Sequence, residues 1–169
     1  DPANVLFFVP GALIGTPAPS AGRVTICGLS PQGYPDEWYT RSNLGGQWGP
    51  ELKFAGYDAL VVTGKAPQPV YIEIEDDRVE VRDAVGLWGR GLVETQKLLA
   101  AKLGPGWRTV AIGPAGENLV RYAIVATNTE SAAGQGGFGA VMGSKTLKAI
   151  AVRGHGGVPV ANPQEALRR

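Results

Sequence analysis

The chain has one cysteine and one histidine in 169 residues, and these shortages exclude a good deal. Cys27 alone cannot form an internal disulfide or furnish a four-thiolate zinc or iron–sulfur site within this chain. His155 alone excludes a multi-histidine metal site and a histidine relay. No run of about eighteen apolar residues occurs, so no membrane-spanning helix is expected. The formal net charge of +1 gives no electrostatic case for nucleic acid or a membrane surface. The opening residues, DPANVLFFVPGALIG, lack the basic flank and cleavage site of a signal peptide, and position 1 is not Met. The expectation is a cytoplasmic protein, seen here as a processed chain or an excised piece. Charged residues are also scarce, at 18%, which suggests a surface partly covered by something else, such as another domain.

What is present in quantity is glycine. Five of the ten residues from Gly134 to Gly143 are glycine, within the stretch AAGQGGFGAVMGSKTLK. Glycine packs nothing and loses most entropy on ordering, so such density predicts a loop whose backbone comes close to a bulky ligand. Successive N–H groups there could converge on an anion, with Lys145 and Lys148 adding charge downstream. A second stretch, Arg41-Ser42-Asn43-Leu44-Gly45-Gly46, has the same character. Together the two read as loops gripping one large phosphate-bearing ligand.

The length suits one domain able to bury roughly 70% of its unfolded surface. Short strands are predicted over 5–9, 23–27, 59–63, 109–112, 122–126 and 147–152, with residues 28–42 irregular. Alternation in 70–75 and 79–82 around Asp76-Asp77-Arg78 predicts a hairpin. Residues 91–103 form the one amphipathic helix, ended by Gly104-Pro105, and 50–55 give a turn or two of helix behind Pro50. The pattern is α+β: two β-sheets of short strands with few helices, without regular strand–helix alternation.

Gly134-Gln135-Gly136-Gly137-Phe138-Gly139 matches G-x-G-x-x-G, but a strand returns within about ten residues and no acid follows at the required distance. The P-loop reading of Gly139 to Thr146 fails on spacing. Cys27 reads as a small buried hydrophobe and His155 as solvated loop. Glu117 and Asn118 read as groups that hold a loop. Among the four tryptophans Trp48 carries more functional weight, because it follows the Asn43 stretch.

Three segments in order, GPELKFAGYDA at 49–59, AIGPAGENLV at 111–120 and GAVMGSKTLKAIAV at 139–152, resemble the N-terminal domain of the aldehyde:ferredoxin oxidoreductase family. The resemblance covers roughly residues 5–165. It implies two sheets forming the base for a tungsten (or molybdenum) bis-pterin, with a magnesium ion bridging the pterin phosphates. Residues 1–155 would be the metallopterin-binding domain, and 156–169 a linker and the start of a helical domain. By resemblance, Arg23, Asn43, Gly45, Ser131, Ala132, Gly134 and Gln135 fall on cofactor-binding positions, with Asn43 and Ala132 offering backbone carbonyls to the magnesium. No catalytic residue is assigned to this chain. The family carries arginines where Ser131 and Gln135 stand, so the phosphate is held more weakly here or its charge is met from elsewhere.

The implied activity, in the whole protein, is oxidation of aldehydes to carboxylic acids. Electrons would pass to a 4Fe-4S cluster outside this chain and then to ferredoxin, and the helical C-terminal domains would be partners. Two alternatives stand beside it: a sibling tungsten enzyme acting on an aromatic thioester, and a non-catalytic binding or assembly module that kept the fold and lost the cofactor.

Overall fold

The computed structural model describes residues 1–33, 35–127 and 131–168. Among the described residues ten strands form two sheets. The first is antiparallel and built from β1 (Leu6–Pro10), β2 (Val24–Ser30), β3 (Trp38–Leu44) and β4 (Leu60–Val62), in the order β3-β2-β1-β4. The second holds β5 (Val70–Glu75), β6 (Arg78–Asp83), β7 (Arg108–Ala111), β8 (Val125–Thr127), β9 (Ala132–Ala133) and β10 (Leu147–Arg153), in the order β6-β5-β10-β7-β8-β9. Within it only β5 and β10 run parallel.

Helices α1 (Trp48–Phe54) and α4 (Phe138–Ser144) each touch strands of both sheets. One buried cluster therefore joins Leu6, Phe8 and Ile26 of the first sheet to Val110, Ile150 and Val152 of the second, through Trp48, Phe138 and Met142. Helix α2 (Leu92–Leu103) covers the other face of the second sheet, where Leu99 meets Tyr71, Ala111 and Ala149. With both faces covered, β10 is buried along six of its seven residues, which is why it reads as a near-continuous apolar run. Short helices α3 (Pro114–Glu117) and α5 (Pro163–Arg168) and a 3-10 turn at Val85–Leu87 are the remaining elements among the described residues. Arg169 lies outside the described residues.

The α+β architecture, the hairpin and α2 stand as predicted. At the hairpin tip Asp76 takes φ +51°, so Asp76-Asp77 forms the two-residue turn and β6 already begins at Arg78. Three local expectations are corrected. Of residues 28–42, expected to be irregular, 28–30 and 38–42 are strand, because β2 runs on to Ser30 and β3 starts at Trp38. The Asn43 stretch is therefore the end of an edge strand, with loop only from Gly45. Half of the glycine stretch is helix: α4 is buried at every residue and so shows no amphipathic period.

Candidate cofactor-binding site

The glycines after position 134 turn out to serve the fold itself. An added Cβ at Gly143 would overlap the Gly116 carbonyl, and one at Gly139 the Ile124 carbonyl, so these two glycines let α4 sit against α3 and the 123–124 segment before β8 at backbone contact. Gly137 caps α4 in the left-handed region, φ +65°, beside the Arg121 carbonyl. The amides of the turn are also used internally. Gln135 N–H donates to Ser42 Oγ at 3.2 Å, and Gly136 N–H to Gln32 Oε1 at 3.1 Å. Ser30 Oγ in turn donates to the Gly136 carbonyl at 3.1 Å. The nest of converging amides predicted for this stretch is therefore not formed at these positions. Gly134 is the exception. It is exposed, its φ is not left-handed, and a Cβ there would meet nothing within 4 Å.

The two lysines predicted to add charge are buried elsewhere. Lys148 forms an ion pair with Glu117 and donates to the Arg90 carbonyl at 2.8 Å, while the other Glu117 oxygen accepts Gly89 N–H at 2.8 Å. Glu117 thus holds a loop, as predicted. Lys145 Nζ donates to the carbonyls of Pro2 and Gly64. Trp48 is core, fully buried with Nε1 donating to the Ile150 carbonyl at 3.1 Å, and this removes its functional weight.

The remaining predicted residues converge where the sheets meet. β3 is one outer strand of the first sheet and β9 one outer strand of the second. Gly45 N–H donates to Ser131 Oγ at 2.8 Å, joining the two edges. Ladder alternation then fixes where the backbone groups of Asn43 and Ala132 point. Gly11 N–H donates to the Arg23 carbonyl, so Arg23, Thr25 and Cys27 turn their backbone groups to β1. Val24 and Ile26 therefore bond to β3, at Leu44 and Ser42, and Asn43 is left with its N–H and C=O pointing off the open edge. At β9, Thr127 N–H donates to the Ser131 carbonyl, so Ala133 bonds to β8 and Ala132 points its N–H and C=O outward.

Arg23 is exposed just before β2, and continuing the β2–β3 register sets it opposite Gly45. Asn43 shares the outer face of the first sheet with Thr25, whose hydroxyl donates to Asn43 Oδ1 at 3.2 Å. That face carries Val9, Tyr39 and Val61 as exposed apolar side chains. Cys27 lies on it too but is buried, as predicted, and its thiol beside the Tyr39 phenol pushes the phenol's pKa above its ordinary value. His155 is exposed, as predicted, with Nδ1 2.8 Å from Asp76 Oδ2. Sequence reasoning missed Ser42, Ser30 and Gln32 as clamps on the 135–136 turn. Ser42 lay inside a stretch already singled out, whereas nothing local marks the other two.

Residues 1–154 match the family described as aldehyde ferredoxin oxidoreductase, N-terminal domain. The chain belongs to that family. It is 50% identical over 165 residues to a tungsten-containing aldehyde ferredoxin oxidoreductase of Thermococcus kodakarensis, covering 97% of this chain and 27% of the relative. The protein of that description from Pyrococcus horikoshii is 52% identical over 164 residues, covering 96% and 26%. An aliphatic sulfonate oxidoreductase WOR-like subunit of Pyrococcus furiosus is 38% identical over 178 residues, covering 98% and 28%. Among solved structures, the active-site complex BamBC of benzoyl coenzyme A reductase with 1,5-dienoyl-CoA superposes with a TM-score of 0.92 at 45% identity, covering 97% of this chain and 25% of that one. The chain thus spans about a quarter of the length of the relatives it matches. No helix among the described residues is long and apolar enough to cross a membrane.

Proposed function

We propose that residues 1–155 are the metallopterin-binding base of a tungsten (or molybdenum) bis-pterin oxidoreductase, and that 156–169 lead into its helical domains. The observation that carries this reading is the pair of outward carbonyls, Asn43 and Ala132, on two sheet edges tied together by the Gly45–Ser131 bond. Hard carbonyl oxygens on adjoining edges suit a magnesium ion that bridges two phosphates. The open space above Gly134 suits close approach of a phosphate to backbone, and Arg23 opposite Gly45 supplies a cation. The exposed apolar outer face of the first sheet gives a platform for a large planar group and for further domains.

In this proposal the chain binds and orients, while the group itself supplies two-electron redox chemistry at its metal when bound. The whole protein would oxidise aldehydes to carboxylic acids and pass electrons through a 4Fe-4S cluster beyond this chain to ferredoxin, in the cytoplasm. The similarity to benzoyl coenzyme A reductase supports a second reading of the same site, action on an aromatic thioester. Metal and pterin analysis of the full-length protein tests the proposal. Tungsten or molybdenum with two pterins per metal supports it; zinc alone, or no pterin, leaves only the non-catalytic module. Assay of the loaded protein with an aldehyde and with an aromatic thioester separates the two reactions.

A further inference from the structure

Lys145 is 2% exposed, and among the described residues no carboxylate pairs with it. Its ammonium gives one N–H to the Pro2 carbonyl at 2.7 Å and one, at the long distance of 3.3 Å, to the Gly64 carbonyl. An ammonium has three N–H donors, so one donor and the whole positive charge remain unmatched. Burying a charge without a counter-ion is costly, and burial accordingly pushes this amine below its ordinary value. The lysine also lines a cleft of about 320 Å³ whose walls include Val62, Val70, Ile72, Val81 and Leu147. None of the residues of the candidate cofactor site lines it.

A buried cation at the wall of an apolar cleft matches one ligand chemistry: a small carboxylic acid with an apolar body. We infer that this cleft binds such a carboxylate, its head group on Lys145 Nζ and its hydrocarbon part along Val62, Val70, Ile72 and Leu147. The carboxylate takes the third N–H and neutralises the charge, while the tail removes apolar wall from water. Val81 is 66% exposed and forms the rim.

The test uses the full-length protein and three probes: octanoate, octan-1-ol and acetate. Isothermal titration should give saturable binding of octanoate, with the alcohol lacking the charge and acetate lacking the tail each weaker by about tenfold or more. Lys145→Met should weaken octanoate by about the same factor. Val81→Glu sets a second carboxylate at the rim of an otherwise intact fold, and it should weaken octanoate while leaving the melting temperature unchanged. It decides the matter if Lys145→Met fails to fold. No saturable octanoate binding at millimolar concentration, or equal affinity in the foldable variants and the parent, overturns the inference. Metal and pterin content is unaffected by any of these outcomes, so the cofactor proposal stands or falls separately.

Discussion

Gly45, next after β3, donates its backbone N–H to the hydroxyl of Ser131, next before β9, at 2.8 Å, and this bond ties an outer strand of one sheet to an outer strand of the other. An arginine at position 131, the residue the family resemblance implies, has no acceptor and could not make it. Serine here therefore closes the junction on which the candidate site rests. Ser131→Ala leaves a half-buried N–H without its partner, which costs about 1–3 kcal/mol. Chemical denaturation should show that loss, and Ser131→Thr, which keeps the acceptor, should recover most of it. Equal stability of the alanine variant and the parent would mean that the edges are held by other contacts.

The Lys148–Glu117 pair joins β10, α3 and the 89–90 turn in the interior, with side chains 0% and 4% exposed. Glu117→Gln keeps the shape but leaves the ammonium buried without a counter-charge, at a cost of about 3–5 kcal/mol. The same variant should also loosen α4, because α3 packs on it at Gly116. Hydrogen exchange at α4 amides should accelerate; unchanged exchange with a large global loss would show that the pair does not act through α3.

Glu75 is held below its ordinary value of 4.5, chiefly by the hydrogen bond from Arg153 and then by that from Arg78. Asp76 is held below 3.8, chiefly by the His155 backbone N–H. For a carboxyl whose folded value is depressed, the stabilisation is fully present above the unfolded value and disappears as pH falls through the folded one. The melting-temperature deficit of Glu75→Gln should therefore be constant from neutral pH down to about pH 5 and shrink below it. A deficit that grew on acidification would contradict the assignment.

The parts of the fold visible in the sequence are those with local periodicity. Val70 to Arg82 alternates at period two, and 91–103 carries an amphipathic helix with its stop signal. What sequence could not show depends on distant partners. α4 is buried all round, so neither its period nor its glycines announce a helix, and the glycines answer to the carbonyls of Gly116 and Ile124. Lys148 reads as a charge offered to an anionic ligand until Glu117, thirty-one positions earlier, is seen beside it. β3 was hidden by Pro31, Gly33 and Pro35 in the turn before it. Of the site, the positions came from the family resemblance; the reason they converge, two outer strands meeting, is a property of topology that no single stretch carries.

The account turns on Gly134, the one glycine of its stretch with open space where a Cβ would stand and no left-handed φ to defend. The decisive measurement is tungsten, molybdenum and pterin content of the full-length Gly134→Val variant, set beside its melting temperature in the cofactor-free form. The account predicts a large loss of metal and pterin with the cofactor-free melting temperature unchanged, while Gly143→Ala, whose Cβ meets the Gly116 carbonyl, loses stability with or without cofactor. Full metal and pterin content in Gly134→Val would contradict it.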